Sequence, residues 1–145
     1  MKNYFWMLLA LLLFPSPARK EPGDLIPVEV VGLVEEDGRV LIRTDTGDHG
    51  SGRTMEEAVK DLKARAPGTI YLETADYLIL WGDPDPEQLL RYLRPSAEIC
   101  LGTADPKQAA AFMQAHRPEH TIHELRAGNR EIPELREEEG GFCLA

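Results

Sequence analysis

Residues 46–54, TGDHGSGRT, come close to the pattern of a phosphate-binding loop. Gly47 and Gly52 have the spacing of GxxxxGK followed by Ser or Thr. In such a loop, backbone N–H groups surround the phosphates and the Lys side chain reaches them. Here Arg53 replaces the Lys, and Asp48 would place a carboxylate among the groups that bind the anion. The segment is therefore interpreted as a strand-to-helix connector, and no nucleotide binding is predicted.

Three of the four histidines lie close together in HRPEHTIHEL: His116, His120 and His123. Imidazoles at such spacing can bind zinc, with Glu119 or Glu124 as a further ligand or a general base. Pro118, however, prevents one continuous helix from presenting the first two histidines on one face. These histidines are therefore predicted to be polar residues at a turn, and a metal-dependent hydrolase remains the alternative.

The two cysteines, Cys100 and Cys143, allow a single disulfide in an exported chain. Such a bond would tie the C-terminal tail to the sheet. Cys100 lies in an apolar run, where a lone Cys often packs as a small buried hydrophobic residue. Both readings remain open, and neither Cys has an activating base nearby in the sequence.

Carboxylates and aromatic residues between positions 73 and 85 could serve a glycosidase or a calcium site: Glu73, Asp76, Asp83, Asp85, Tyr77 and Trp81. Asp85 is better explained as a helix cap, and the other acids fit turns next to strands. Tyr77 and Trp81 alternate along one predicted strand, which favours core or sheet-face positions. No catalytic residue and no cofactor is predicted.

The N-terminus has the features of a secretory signal peptide. Lys2 precedes an apolar run over residues 4–14, and small residues follow it up to Ala18. The run is shorter than the ~20 residues that span a bilayer. Residues 1–18 are therefore predicted to direct export, with an uncleaved N-terminal anchor as the alternative. Membrane contact is expected only through this segment, and only if the segment is not cleaved.

The chain is acidic, with a net charge of −9 over 145 residues. Binding to nucleic acid requires clustered Lys and Arg, so a nucleic-acid partner is not expected. Residues 19–145 have the length of one domain. The tail from about residue 127 is polar and charged before a short apolar end.

The secondary-structure pattern begins with two β-branched runs, residues 26–34 and 40–44, joined by Asp37 and Gly38. Asp-Gly between two such runs is typical of a hairpin. Thr54 then begins a helix with a capping-box pattern, and apolar residues recur on one face of that helix.

Two further units repeat the same order of strand and helix. DPEQLLRYLRP and DPKQAAAFMQAHRP each begin with a capping Asp and a Pro at the first helical position. Each follows an apolar strand, and residues 121–125 are predicted to supply the strand after the second helix. This order predicts a small α/β domain with a mixed sheet, about three helices, an N-terminal hairpin and βαβαβ-like units.

The order of segments over residues 25–103 resembles the N-terminal domain of the spore germinant-receptor C-subunit family, Ger(x)C. The resemblance includes a glycine and a Thr before a helix containing Glu-Ala, here Gly52, Thr54, Glu57 and Ala58. It also includes an apolar strand ending in Gly at residues 80–82. Family members typically carry a lipid-attachment Cys at the signal cleavage site and further domains. This chain has no Cys there and has the length of one domain, so the resemblance is to a short stand-alone or truncated relative.

The resemblance implies a non-enzymatic subunit at the outer face of a membrane, with integral-membrane receptor subunits as candidate partners. The function expected is an exported interaction domain linked to spore germination. Two alternatives are a small exported metal-dependent hydrolase, using the three histidines, and a soluble ligand-binding protein, using residues 47–52.

Overall fold

The computed structural model describes residues 25–145. The predicted signal peptide, residues 1–18, lies outside the described residues. Between residues 25 and 145, no helix has both the length and the apolar character needed to cross a membrane.

The first half of the described chain is mainly β-structure. Its elements are β1 (Leu25–Pro27), β2 (Val30–Glu36), β3 (Arg39–Thr44), β4 (His49–Gly52), helix α1 (Met55–Arg65), β5 (Thr69–Tyr71), a 3-10 turn (Leu72–Thr74) and β6 (Tyr77–Trp81). The second half alternates short helices and strands. Its elements are α2 (Pro86–Leu89), β7 (Glu98–Leu101), α3 (Pro106–Ala115), α4 (Ile122–Arg126), β8 (Leu135–Glu138) and β9 (Gly141–Leu144).

Five strands form the central sheet in the order β4-β3-β2-β6-β7. The β2–β3 and β3–β4 pairs are antiparallel, whereas β2, β6 and β7 run parallel to one another. Asp37 and Gly38 both have positive φ, as expected for the tight turn between β2 and β3. The prediction of a small α/β domain with a mixed sheet and an N-terminal hairpin is confirmed, with four α-helices within residues 25–145 rather than about three.

The two faces of the sheet are covered by different elements. We call one face the α1 face. Helices α1, α2 and α4 pack on it over a large core that includes Leu33, Ile42, Leu62, Leu78 and Ile99. On the other, the α3 face, helix α3 and the β8–β9 hairpin cover a smaller core around Ile79, Cys100 and Met113. Side chains alternate between the faces along each strand, so both faces contribute buried apolar residues.

The repeated Asp-Pro openings cap two helices, as the sequence predicts. Asp85 accepts the Glu87 N–H at 3.1 Å at the start of α2, and Asp105 accepts the Lys107 N–H at 3.1 Å at the start of α3. A carboxylate oxygen therefore satisfies one of the N–H groups that have no partner within each helix.

The strand predicted over residues 121–125 is wrong, because this segment forms helix α4. Thr121 accepts the Glu124 N–H through its side chain at 3.3 Å, which is an N-cap. Ile122 and Leu125 are both buried at a helical spacing. The outer edge of β7 is instead bonded by irregular segments, through Ile99 N–H to His120 O at 2.6 Å and Leu101 N–H to Pro133 O at 2.8 Å.

Three further local differences from the sequence-based prediction appear. The run over residues 26–34 is divided into β1 and β2, because β1 leaves the main sheet and pairs in parallel with β5. Residues 49–52, expected in a connector, form the edge strand β4. The C-terminal tail contains the β8–β9 hairpin, whose Leu135 is buried against the α3 face.

Candidate functional site

The glycine-rich stretch brings β4 into close contact with helix α1. A Cβ atom placed on Gly50 would lie 2.3 Å from the Leu62 backbone N and 2.4 Å from Ala58 O. One placed on Gly52 would lie 2.4 Å from the Glu57 Cβ. Real Cβ atoms do not approach other atoms so closely, so these two glycines allow the helix to pack on the strand. The packing of helix α1 therefore accounts for two of the three glycines in this stretch.

The end of the same stretch is a helix cap. The Thr54 side chain accepts the Glu57 N–H at 3.2 Å, and the Glu57 carboxylate accepts the Arg53 N–H at 2.8 Å. These two bonds satisfy N–H groups at the start of α1. The predicted capping role of Thr54 is confirmed.

The three histidines of the hydrolase hypothesis have separate surroundings. The His116 ring stacks on Phe112 with ring centroids 4.5 Å apart, at the end of α3. His120 Nδ1 lies 3.2 Å from a Glu124 carboxylate oxygen, and His123 is exposed on α4. Across residues 25–145, no three His, Cys, Asp or Glu side chains are placed to hold a metal ion. The structure does not bring His116, His120 and His123 together as ligands.

Both cysteines are free thiols, so the structure does not contain the disulfide that the sequence allows. Cys100 is buried in β7 beside Met113, with 3.8 Å between the sulfur atoms. Burial raises the pKa of the Cys100 thiol to about 12. Cys143 in β9 donates to a Glu138 oxygen at 3.1 Å, and this bond raises the pKa of its thiol. Thiols with raised pKa values carry little thiolate at neutral pH, which makes them poor nucleophiles.

A buried carboxylate that the sequence did not single out lies at the start of β7. Glu98 is only 6% exposed, and its Oε2 accepts two bonds from Arg117, at 2.8 and 3.0 Å. Its Oε1 accepts the Glu119 N–H at 2.8 Å, and Glu119 has a positive φ. Hydrogen bonding to Glu98 raises the pKa of Arg117. Every contact of this carboxylate holds the segment after α3 in place, which is a structural role.

The carboxylates near positions 73–85 are used separately. Asp76 forms an ion pair with Arg94, and Asp83 lies 3.8 Å from Arg130. Asp85 caps α2, as predicted. Glu73 lies in the 3-10 turn and lines a groove of about 530 Å³ beside residues 90–95. Asp76, Asp83 and Asp85 therefore each have an individual partner on the protein.

Trp81 is the exposed aromatic residue of the central sheet. It ends β6 with 43% of its surface exposed, whereas Tyr77 at the start of the same strand is buried. Val34 lies opposite Trp81 in the register of β2 and β6, and opposite Leu41 in the register of β2 and β3. We call Leu41, Val34 and Trp81 the Trp81 row; its two aliphatic members are half-buried. The row lies on the α3 face, since Trp81 is two residues beyond Ile79.

A groove of about 390 Å³ borders the row, and we call it the Trp81 groove. It is lined by Trp81, residues 102–104 and residues 134–137. The groove lies beyond the carboxyl ends of the parallel strands β6 and β7, where ligands of α/β sheets commonly bind. The sequence identified Trp81 only as a core or sheet-face residue. Its position directly before Gly82 and Asp83, at a strand end, is the signal that could have indicated exposure.

A scan against protein-family models, a search of curated proteins and a search of solved structures each returned no significant match. The fold and the surfaces described above are therefore the observations from which a function is argued.

Proposed function

We propose that the chain is an exported, non-catalytic interaction domain that acts by protein–protein contact at the outer face of a cell or spore membrane. The observation that carries the proposal is the exposed ring of Trp81, which continues the half-buried surface of Val34 and Leu41. Trp is enriched among the residues that contribute most of the binding energy at protein interfaces.

Two features of the sequence support the exported location and the biological setting. The signal-peptide pattern over residues 1–18 supports export. The resemblance of residues 25–103 to the C-subunit family of germinant receptors supports a role in spore germination, with integral-membrane receptor subunits as partners.

The surroundings of the chemically suggestive residues give less support to the two alternatives. The histidines of the hydrolase hypothesis have separate neighbours, and each of the ion-paired or capping acids has its own partner. The glycines of the ligand-binding hypothesis, Gly50 and Gly52, pack against α1. The Trp81 row, by contrast, has apolar surface open to solvent.

The test of this proposal is to express the full chain with its own N-terminus in an exporting Gram-positive host, fractionate the cells and record the intact mass. We expect the chain outside the cytoplasm, either starting at Arg19 or uncleaved in the membrane fraction. The control carries Leu9→Arg and Leu12→Arg, which interrupt the apolar run and should retain the chain in the cytoplasm. A native chain that stays in the cytoplasm like this control would overturn the proposal.

A further inference from the structure

We propose that the Trp81 groove receives a Lys- or Arg-bearing segment of the partner protein, with an apolar side chain of that segment resting on the Trp81 row. This inference rests on the proposed function, and it assigns the chemistry of the partner.

The shape of the groove suits one extended segment. One wall is the Trp81 ring, and the other is the polypeptide of residues 134–137 at the start of the β8–β9 hairpin. Residues 102–104 lie between them, because they follow β7, which pairs with β6 on one side and is bridged to Glu134 on the other. A volume of about 390 Å³ is at the lower end of the range for small-ligand pockets. It can accept one long side chain, and the Trp81 row extends the contact surface across β2 and β3.

Charge complementarity selects a cationic occupant. The hairpin wall carries carboxylates at Glu134 and Glu137, and two more Glu follow at positions 138 and 139. Arg136 is the cation of this wall, and its guanidinium lies 3.2 Å from a Glu134 oxygen. On the sheet side, Arg43 donates to Thr103 O at 3.0 Å. Within the groove lining, the pairing of Arg136 with Glu134 leaves Glu137 as the carboxylate without an ion pair among the described residues, and the chain as a whole is acidic.

The exposed indole adds a second attraction for the same occupant. The face of a Trp ring attracts ammonium and guanidinium groups, and the attraction is stronger where water is partly excluded. A Lys or Arg side chain can lay its apolar stem against the ring while its charged end reaches the Glu134 or Glu137 carboxylate. An apolar neighbour in the same segment would then cover Val34 and Leu41.

Tryptophan fluorescence provides a direct test, because Trp6 and Trp81 are the only tryptophans in the chain. In the full chain carrying Trp6→Phe, emission comes from Trp81 alone. The probes are a short peptide of alternating Lys and Leu and a peptide of equal length with alternating Glu and Leu. We expect a saturable change in Trp81 emission with the Lys peptide, weakened by added salt, and no saturable change with the Glu peptide.

Two pairs of variants distinguish binding at the Trp81 groove from non-specific attraction of the Lys peptide to an acidic chain. Glu134→Gln with Glu137→Gln should weaken binding of the Lys peptide about three- to tenfold, as expected for two partly exposed charge pairs. The matched control is Glu56→Gln with Glu73→Gln, which removes the same charge from the side of the sheet covered by α1. Circular dichroism of each variant confirms that it is folded.

The inference is overturned by equal responses to both peptides, by no response, or by equal weakening in the control pair. It is also overturned if Trp81 emission changes with the concentration of the chain alone, since a second copy would then be the occupant. None of these results affects the export test, so the proposed function could stand with a different partner chemistry if the chain is found outside the cytoplasm.

Discussion

At Gly50 the backbone of β4 comes so close to helix α1 that no side chain fits between them. The nearest atoms to an added Cβ belong to the backbone of Leu62 and Ala58, which cannot rotate away as a side chain would. The glycine is thus required by packing, and its neighbour in the phosphate-loop pattern, Gly52, meets the same helix.

Gly50→Ala should therefore destabilise the fold by about 3 kcal/mol, because helix α1 must move off the strand. The free energy of unfolding in urea measures the loss. Gly141→Ala is the control, since a Cβ there meets nothing within 4 Å, and it should change stability by less than about 0.5 kcal/mol. Equal effects at the two positions would contradict the packing role of Gly50.

Different reactivities are expected for the two thiols. Cys143 is half-buried at the molecular surface, whereas Cys100 is fully buried with a pKa raised to about 12. With a thiol reagent at pH 8, the native chain should therefore react at Cys143 alone, and Cys100 should react only after unfolding. Cys143→Ser serves as the comparison and should leave the folded chain unreactive. Absence of reaction before reduction, with two thiols appearing after it, would instead establish the disulfide.

At the scale of elements, helix α4 shows how local helix signals outweigh an expectation drawn from the order of strands and helices. Thr121 and Glu124 have the spacing of a capping box, and Ile122 with Leu125 has the spacing of a helical face. A strand is expected here from the sequence because the preceding segments repeat the order of strand and helix, which predicts a strand after the second helix. Burial of Ile122 and Leu125 against the α1 face favours the helix over the strand. That burial depends on contacts with residues that are distant in the sequence.

Thr121→Ala should lower the free energy of unfolding by about 1 kcal/mol, since the Glu124 N–H loses its side-chain acceptor. Thr121→Ser keeps the hydroxyl group and should recover most of the loss. Chemical denaturation of the three proteins measures the difference. If the Ser variant were as unstable as the Ala variant, the cap would not be the cause.

The edge strand β4 is linked to helix α1 by a carboxylate. Asp61 accepts the Ser51 N–H at 2.9 Å and the Arg65 Nε–H at 3.0 Å. The hydrogen bond from Ser51, followed by that from Arg65, lowers the pKa of Asp61 below its usual 3.8. A bonded N–H is also unavailable for pairing with a strand of another chain.

Because the pKa of Asp61 is lower in the folded than in the unfolded chain, its contribution to stability is present above about pH 3.8 and is lost as the pH falls through the folded value. The difference in unfolding free energy between the native chain and Asp61→Asn should therefore be constant at neutral pH and shrink in acid. Asp83→Asn, at a carboxylate that is 95% exposed, is the matched comparison. A difference that is the same at every pH would contradict the assignment.

For the whole molecule, local signals in the sequence predict much of the architecture. The Asp-Gly turn, the Thr54 cap and the Asp-Pro helix starts all depend on neighbours within a few residues, and each is found in the structure. The pairing of β1 with β5 and the position of the β8–β9 hairpin depend on residues far apart in the chain. Periodicity in a short segment carries no information on such contacts.

The candidate site likewise combines a feature that the local sequence predicts with features that depend on residues far apart in the chain. The strand pattern predicts that Trp81 is a sheet residue, but the exposure of its ring depends on what covers the α3 face. Helix α3 and the hairpin cover Ile79 and Cys100 on that face and leave Trp81 exposed. The hairpin wall, residues 134–137, comes roughly 50 residues later in the chain than Trp81. Only the folded structure therefore brings Trp81 and this wall together.

The measurement that tests the central claim most directly is photo-crosslinking in intact cells of an exporting Gram-positive host. Trp81 is replaced by benzoylphenylalanine in the full chain, and crosslinked proteins are identified by mass spectrometry. Tyr71 is the control position, because it is an aromatic residue that is 36% exposed on a different strand pair.

We predict that position 81 crosslinks to a membrane or envelope protein through a Lys- or Arg-containing segment, and that position 71 gives much less of the same product. A chain that remains in the cytoplasm, or equal crosslinking from both positions, would contradict an exported interaction domain that binds its partner at Trp81.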